Sequence, residues 1–425
     1  MKPSKRLILC YALCGTVFAL STMISHSVQA QTFTVLHSFT GGGDGGQPEA
    51  GLTMDAAGNL YGTTLSGGGT SCNGGGCGTV FKLKHSGSNW VLNPLYSFNG
   101  VSDGLAPQGR VTIARDGTLY GTTSQGPRGD CGGWGCGTVF RLRPSLSAPH
   151  SALAPWSETV VFAFDNGVGS LPQGDLVFDQ SGNIYGTASY GAQYTCGAIY
   201  ELTPSGGGWT ETVLYQPRGN GGDGCGPEGG IVFDTSGNLY GVYYQGGQNN
   251  WGAVYQLRPS GPPWTQEILY SFNESSTGAA PIGGLIMDNL GNLYGSNTYG
   301  GLDGGGIVFE VQPGNGGWSF NPLYYFTGHV GIGPEDKLVM DASGNLYGTT
   351  YYEGAYSMGS VFKLTPSDGA WTYTSLHDFT GGNDGKYPIS SLVFDTNGNL
   401  YGTASAGGIG NCPYGGCGVV FEIAP

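Results

Sequence analysis

The sequence predicts an all-β fold, a seven-bladed β-propeller with four antiparallel strands in each blade. A ten-residue motif, DASGNLYGTT at positions 341–350, recurs with variations seven times at intervals of 53 to 65 residues, which indicates a repeat architecture. Each repeat contains four short segments rich in β-branched and aromatic residues, and no segment after residue 30 keeps a helical period. Because Gly, Asn, Asp and Pro separate these segments, we interpret them as strands joined by tight turns. Four strands in each of seven repeats are typical of a propeller.

The four strands of a blade are clearest in the sixth repeat. They are KLVMD at 337–341, NLYGTT at 345–350, SVFKLTP at 360–366 and WTYTSLHDF at 371–379. The last repeat ends with VVFEIAP, just after its third strand, while QTFTVLHSF at 31–39 aligns with the fourth strand of the sixth repeat. We therefore expect the N-terminal strand to supply the missing outer strand of the last blade. Such a join closes the ring and hides its sheet edges.

Residues 1–30 have the features of a secretory signal peptide. Lys2, Lys5 and Arg6 precede the apolar stretch LILCYALCGTVFAL, and SVQA offers a small-residue cleavage site after Ala30. We predict a single propeller domain over residues 31–425, which is secreted or located in the periplasm or at the cell surface. No second apolar stretch is long enough to span a membrane.

The chain is acidic, with a formal net charge of −14. Without the three basic residues of the predicted signal peptide, 12 Lys and Arg remain against 29 Asp and Glu, which gives a net charge of −17. A surface so poor in basic residues argues against nucleic acids and anionic membranes as partners.

Eight cysteines follow the predicted signal peptide, and we expect them to form four disulfides. Blades 1, 2 and 7 each carry a five-residue insert between the second and third strands, with two cysteines at C-x4-C spacing. Locally paired cysteines in an exported protein favour disulfides. Metal binding is the alternative, although C-x4-C without a nearby His fits zinc poorly. The last two cysteines lie in loops that should be neighbours on one face. The expected pairs are Cys72–Cys77, Cys131–Cys136, Cys412–Cys417 and Cys196–Cys225.

The loops after the second and fourth strands open on one face, called the top face here, where ligands of propellers commonly bind. Aromatic residues occur in the inserts of blades 2 and 7 and just after the second strands of blades 3–6. Aromatic rings offer a large contact area with a polar edge, which suits a sugar or a peptide. The alternative is that these rings pack their own loops. The candidate ligand-binding residues are Trp134, Tyr190, Tyr244, Trp251, Tyr299, Tyr352 and Tyr414.

Four of the loops after the fourth strand share the motif D-G-x-x-P. Its carboxylates either ring a cation, for which Ca²⁺ is the expected ion, or cap a turn by accepting backbone N–H bonds. Because the carboxylates lie one or more blades apart, the turn is favoured. No cofactor is expected apart from this Ca²⁺. The candidate metal ligands are Asp44, Asp103, Asp223 and Asp384.

Candidate catalytic residues are scarce. His329 is the one histidine expected in a top-face loop, and Glu335 and Asp336 follow it closely, so these three form the best candidate for a general base and its partners. No Gly-x-Ser-x-Gly elbow, HExxH, EF-hand or P-loop motif occurs.

The whole repeat, GGLxMDxxGNLYGTTxxGG followed by GxVFxLxP and WxxxxLYsFtG, resembles the Gloeo/Verruco tandem repeat of the choice-of-anchor GloVer family of exported bacterial proteins. Seven copies of it cover essentially all of the chain after residue 30. The resemblance implies a secreted or surface repeat protein, and it brings no catalytic residues with it.

These observations favour a secreted, non-catalytic binding module whose partner on the top face is an extracellular glycan or protein. The alternative is a propeller enzyme, a lyase or a lactonase-like hydrolase, that uses top-face acids and a divalent cation. A structural role in the envelope or matrix is the third possibility. Converging carboxylates beside His329 would favour the enzyme, whereas a shallow aromatic surface would favour the binding module.

Overall fold

The structure is a computed structural model that describes residues 31–87, 89–127, 131, 133, 135–144, 156–327 and 333–425. Within these residues, 28 strands form seven four-stranded sheets in which neighbouring strands are antiparallel. The one helix described is a single turn, Glu274–Thr277. The predicted seven-bladed β-propeller is therefore confirmed. No helix in the described part of the chain is both long and apolar enough to cross a membrane.

Each blade runs outward from a short inner strand. The innermost strands are Thr53–Met54, Thr112–Ile113, Val177–Phe178, Gly224–Phe233, Ile286–Met287, Val339–Met340 and Val393–Phe394. The second strands are Leu60–Thr64, Leu119–Thr123, Ile184–Ala188, Leu239–Gly246, Leu293–Asn297, Leu346–Thr350 and Leu400–Ala404. The third strands are Thr79–Ser86, Thr138–Pro144, Ala198–Ser205, Ala253–Arg258, Ile307–Gly314, Ser360–Ser367 and Val419–Ala424.

The outermost strands of blades 1–6 are Asn89–Ser97, Trp156–Ala163, Gly208–Tyr215, Thr265–Ser271, Gly317–Tyr325 and Ala370–Asp378. In blade 7 this place is taken by the N-terminal strand Thr32–Ser38, which pairs antiparallel with Val419–Ala424. The predicted ring closure is therefore confirmed. A threonine hydroxyl reinforces the join, because Thr403 Oγ1 of blade 7 donates to the carbonyl of Ala50, 3.2 Å away, at the entry to blade 1.

The Tyr-Gly pair of the repeat has a packing reason. A Cβ atom added at Gly62 would lie 2.6 Å from the ring of Phe81 and 2.9 Å from Leu52, and one at Gly348 would lie 2.7 Å from the ring of Phe362. The third-strand ring thus lies directly on the second-strand backbone, which only glycine permits. These rings are fully buried and form the core of each blade.

The bottom-face hairpin between the innermost and second strands is held by an aspartate. Asp341 accepts hydrogen bonds from the backbone N–H groups of Ser343 (2.8 Å) and Asn345 (3.0 Å), the Asn345 amide (2.7 Å) and the Tyr347 hydroxyl (2.9 Å). We call this arrangement the Asp–Asn–Tyr clasp. Blade 2, with Ala114 at this position, lacks it. The other five clasp carboxylates are Asp55, Asp179, Asp234, Asp288 and Asp395.

Blade 4 departs from the predicted strand lengths. Its innermost strand has ten residues, whereas those of the other blades have two, because Gly224 pairs with Gly246 at the far end of a longer second strand. Tyr244 therefore lies inside the second strand and not just after it as expected.

All four expected disulfides are present: Cys72–Cys77, Cys131–Cys136, Cys196–Cys225 and Cys412–Cys417. Three of them pack against a glycine of a neighbouring loop. An added Cβ would lie 2.6 Å from Cys412 Sγ at Gly41, 2.7 Å from Cys72 Sγ at Gly100 and 2.6 Å from Cys196 Sγ at Gly219. The disulfides thus fasten the loops of the top face to each other, as suits an exported protein.

Candidate functional site

The residue after the proline of each fourth-strand loop lies at the centre of the top face. These seven residues line one cavity of about 160 Å³, to which every blade contributes. We call them the axial ring. They are Glu49, Gln108, Gln173, Glu228, Ile282, Glu335 and Ile389.

Part of the axial ring is joined by hydrogen bonds. The Gln173 amide donates to Gln108 Oε1 at 3.0 Å, and the Gln108 amide donates to Glu49 Oε2 at 3.2 Å. Burial raises the pKa of Glu49, and it raises the pKa of Glu228 to about 7. Burial, with the nearby Glu49 charge, also raises the pKa of Glu335 to about 7. Near neutral pH the carboxyl groups of Glu228 and Glu335 therefore both accept and donate protons.

A second charged layer lies one or two residues further along the same segments. Arg110 donates to Asp175, with 2.8 Å between guanidinium and carboxylate, and the attraction of Asp175 raises the pKa of Arg110. Asp336 accepts from the backbone N–H groups of Lys337, at 2.6 Å, and of Ser391. Burial, together with the charge of Asp175, raises the pKa of Asp336 to about 7, and burial lowers the pKa of Lys337. One ion pair, Arg110–Asp175, and two further buried ionisable side chains, Asp336 and Lys337, thus lie beside the axial ring.

A larger cavity, about 680 Å³, opens on the top face between blades 4 and 5. Three of the predicted ligand-binding residues line it together, and we call it the Tyr244–Trp251–Tyr299 cleft. Trp251 is 42 % exposed, so its ring is accessible from the solvent. Burial raises the pKa of Tyr299, with the charge of Glu335 as the next cause. The hydroxyl of the preceding Thr298 donates to the Pro334 carbonyl at 3.4 Å, which places the cleft close to the axial ring. Further polar residues line its rim: Gln245, Asn249, Asn250, Glu274 and Ser275.

A second aromatic cluster lies where blades 6 and 7 meet. The rings of Tyr351 and Tyr387 stack with centroids 4.7 Å apart and an interplanar angle of 5°, and Tyr352 contacts both edge-on. Lys386 Nζ lies 5.0 Å from the centroid of the Tyr387 ring. Sequence reasoning identified Tyr352 but missed Tyr351 and Tyr387. Tyr387 had a signal, because it stands before the loop proline, where the sister blades have Gln, Ala, Leu or Gly.

The other candidates are not brought together. Tyr190 and Tyr414 are exposed but line neither the cleft nor the axial cavity. Trp134 and His329 lie outside the described residues. Glu335 and Asp336 face the propeller axis, where Glu335 meets the other glutamates of the axial ring.

The D-G-x-x-P aspartates form hydrogen bonds with residues of their own loop and of the strand before it. Asp44 accepts from the Thr40 N–H at 2.9 Å and lies 3.2 Å from His37 Nε2, and Asp103 accepts from the Tyr96 hydroxyl at 2.6 Å. Asp223 and Asp384 make the matching contacts, with Tyr215 and His377. These are the hydrogen bonds that the turn interpretation requires. Within the described ranges, no group of three His, Cys, Asp or Glu residues is placed to hold a metal ion.

Sequence reasoning missed Glu49 and Glu228. The available signal was the position itself: the residue after the loop proline varies between Glu, Gln and Ile while the proline before it is constant. In a closed ring, seven equivalent positions at the inner ends of the blades must converge.

Several solved structures have a similar fold. A putative 6-phosphogluconolactonase from Bacteroides uniformis matches with a TM-score of 0.50 and 12% identity over 88% of this chain and 99% of that chain. A putative oxidoreductase (glucose dehydrogenase) from Thermus thermophilus has a TM-score of 0.47 and 16% identity over 93% and 100%. A gluconolactonase from Xanthomonas campestris has a TM-score of 0.39 and 14% identity over 67% and 78%. Such identities show a shared fold alone.

No curated protein sequence matches the chain. The family model described as the Gloeobacter/Verrucomicrobia repeat matches residues 12–232, 130–339 and 227–425, in three overlapping stretches. These stretches include all seven copies of the repeat seen in the sequence. The chain therefore belongs to the family of proteins built from the Gloeobacter/Verrucomicrobia repeat.

Proposed function

We propose that this propeller is a secreted, non-catalytic binding module that holds an extracellular glycan in the Tyr244–Trp251–Tyr299 cleft. The observation that carries the proposal is the convergence of three aromatic side chains on one open cavity of about 680 Å³. This volume lies within the usual range of ligand sites, which combine aromatic walls with a few polar groups.

The chemistry of the lining suits a sugar. The exposed ring of Trp251 offers a flat apolar surface for the C–H face of a pyranose, and the tyrosine hydroxyls offer polar edges beside it. At the rim, the amides of Gln245 and Asn250 can donate to and accept from sugar hydroxyls, and the Glu274 carboxylate can accept from them. An exported chain with four disulfides would meet such a ligand outside the cytoplasm.

An extended glycan fits better than a single sugar. Tyr299 of the cleft follows Thr298, whose hydroxyl donates to the Pro334 carbonyl at 3.4 Å, next to Glu335 of the axial ring. Tyr387 of the aromatic cluster of blades 6 and 7 stands two residues before Ile389 of the ring. Both aromatic groups therefore adjoin the axial ring. A chain of several sugars would reach from one aromatic surface to the other over the carboxyl and amide groups between them.

The test is calorimetric titration of the oxidised protein with a panel of soluble neutral polysaccharides. Trp251→Ala should weaken binding at least tenfold, about 1.4 kcal/mol, because it removes the exposed ring. The matched control is Tyr190→Ala, which removes another exposed ring, on blade 3, that lines neither the cleft nor the axial cavity, and it should leave the affinity unchanged. Equal affinity of Trp251→Ala and the parent would exclude the cleft. If no polysaccharide binds, a protein ligand takes its place as the candidate.

The axial ring favours one second candidate, an enzyme that uses Glu228 and Glu335 for proton transfer. The two carboxyl groups line one cavity with Glu49, and each has a pKa of about 7, a value suited to this role. The same saccharides, analysed for cleavage products after incubation with the protein, separate the two candidates. Recovery of the intact saccharide favours the binding module, whereas cleavage that Glu335→Gln abolishes favours the enzyme.

A further inference from the structure

Blade 2 is the blade without an Asp–Asn–Tyr clasp, although its hairpin has the same backbone as the others. The Ala114 N–H donates to the Thr118 carbonyl at 2.8 Å, as the Asp55 N–H of blade 1 donates to the Asn59 carbonyl at 3.0 Å. Only the side chains differ, since Ala114 and Thr118 replace the Asp and Asn of the clasp. Asp116 accepts from the Thr118 N–H at 3.0 Å, as Asp55 accepts from the Asn59 N–H in blade 1, but it makes no hydrogen bond with the Tyr120 hydroxyl. The carboxylate position that faces Tyr120 is therefore vacated.

The groups that would face this carboxylate remain. Tyr120 is 5 % exposed, and its hydroxyl makes no hydrogen bond within the described part of the chain, whereas the Tyr61 hydroxyl of blade 1 donates to Asp55 at 3.0 Å. Tyr120 lines an open groove, so its hydroxyl is available to a molecule from outside the chain.

An arginine side chain without an ion-pair partner among the described residues lies beside Tyr120. Arg141 pairs across the strands with Tyr120, as Lys82 pairs with Tyr61 in blade 1. Lys82 Nζ lies 3.9 Å from the clasp carboxylate of Asp55. Arg141 has no carboxylate partner and no side-chain hydrogen bond among the residues the structure describes. Blade 2 thus keeps both groups that bind a carboxylate and omits the carboxylate.

Both groups line a groove of about 670 Å³ on the bottom face between blades 2 and 3. Aromatic rings of Phe178 and Trp209 form part of its wall, and Gln180 and Ser181 add polar groups. The groove holds three of the arginines of an acidic chain, Arg115, Arg141 and Arg143, against two aspartates. Both aspartates are engaged, Asp116 with Arg143 at 3.7 Å and Asp179 with the clasp of blade 3.

We propose that this groove binds an acidic saccharide of the uronate type, whose carboxylate takes the place of the missing clasp aspartate. The carboxylate accepts hydrogen bonds from the Tyr120 hydroxyl and the Arg141 guanidinium, a charge-assisted contact that arginine makes with two parallel N–H groups. The sugar ring lies along the aromatic wall beside Trp209, with Gln180 and Ser181 near its hydroxyls. The site is on the opposite face from the Tyr244–Trp251–Tyr299 cleft and does not depend on it.

The experiment titrates the full oxidised protein with trigalacturonate and with a hyaluronan tetrasaccharide, each beside its methyl ester, which has the same rings without the charge. We expect at least one acid to bind at least tenfold more tightly than its ester. Ala114→Asp should place an internal carboxylate against Tyr120 and Arg141, so it should weaken binding of that acid at least a hundredfold while the unfolding temperature stays equal or rises. Arg141→Gln should weaken it at least tenfold.

Ala57→Asp is the matched control, because it places a carboxylate on the corresponding hairpin of blade 1, and it should leave the affinity unchanged. Trp251→Ala should also leave it unchanged, which keeps this test separate from that of the cleft. The proposal is overturned if neither acid binds, if the esters bind equally well, or if Ala114→Asp and Arg141→Gln bind like the parent.

Discussion

The bottom-face hairpins and the axial ring are parts of the same seven repeats, but they differ in how faithfully they repeat. Six hairpins carry the same Asp–Asn–Tyr clasp with the same set of hydrogen bonds. The axial ring has three Glu, two Gln and two Ile at one equivalent position. A side chain that is repeated in nearly every blade stabilises the blade itself. A position whose side chain varies while the backbone stays the same is available for binding a ligand.

The position two residues after each member of the axial ring also varies between blades. Arg110, Asp175 and Lys337 stand at the position where other blades have Gly51, Gly230, Gly284 or Ser391. Large charged side chains in three blades are accommodated because the others contribute little volume. Departures from the repeat therefore collect at the axis and, on the bottom face, in the hairpin of blade 2.

The largest expected effect comes from breaking the repeated scaffold at the Tyr-Gly pair. In Gly62→Ala the new Cβ would lie 2.6 Å from Phe81 and 2.9 Å from Leu52, both fully buried, so neither side chain can move away freely. We expect a loss of about 3 kcal/mol in the free energy of unfolding, measured by urea denaturation. Gly69→Ala is the control, because a Cβ there meets nothing within 4 Å. Equal stability of the two variants would contradict the packing explanation of the motif.

A smaller loss is expected from removing one clasp. Asp341→Ala deletes the acceptor of four hydrogen bonds and leaves the Asn345 amide and the Tyr347 hydroxyl without it. At pH 7 this should lower the free energy of unfolding by about 2 kcal/mol. The control Asp116→Ala, whose side chain is 60 % exposed, should change it by no more than about 0.5 kcal/mol.

The pH dependence of this loss sharpens the test. Burial raises the pKa of Asp341, but hydrogen bonds from Asn345, Tyr347 and Ser343 outweigh it, so the net shift is downward. A carboxyl group with a lowered pKa stabilises the fold above its unfolded pKa, about 3.9, and this stabilisation is lost as the pH falls further. The difference between parent and Asp341→Ala should therefore shrink below about pH 4. A difference that stays constant to pH 2.5 would show that the charge of Asp341 is not involved.

The scaffold was predictable because the same strand pattern occurs seven times in the sequence. The strands of an irregular blade can be assigned by comparison with the other six blades. The longer loops of blades 1, 2 and 7 each contain two cysteines, so these loops also indicated three disulfides. The Cys196–Cys225 pair followed from knowing which loops share a face. The longer strands of blade 4 were not predicted because they depend on the pairing of Gly224 with Gly246, which no local sequence pattern indicates.

The sites were predictable only in part. Tyr244, Trp251 and Tyr299 stood out as aromatic residues in loops of one face, and they line one cavity. The axial ring was missed because its members are 53 to 65 residues apart in sequence and none is unusual by itself. The stack of Tyr351 on Tyr387 joins two blades, so its geometry depends on how the blades pack. Convergence of side chains from different repeats is a property of the closed ring, not of the single repeat.

The smallest expected effect concerns the axial ring. It tests whether the glutamates of the ring lower the stability of the fold, whereas the clasps raise it. Burial raises the pKa of Glu228 and of Glu335 to about 7, with the Glu49 charge adding to the shift of Glu335. The unfolded chain releases these protons near pH 4.3, so between about pH 4.3 and pH 7 the folded chain binds more protons than the unfolded one. The free energy of unfolding should therefore fall as the pH rises through this range and level off above it.

Replacing either glutamate by glutamine removes the titrating group while keeping its size. Glu228→Gln and Glu335→Gln should each match the parent near pH 4 and exceed its free energy of unfolding by on the order of 1 kcal/mol at pH 8, as measured by urea denaturation. Gln108→Glu, which adds a carboxyl group to the ring, should have the opposite effect. Variants that are less stable than the parent at pH 8 would show that the glutamates hold the blades together. Variants that are more stable would show that the ring keeps these carboxyl groups at the expense of stability, as expected of groups retained for a ligand.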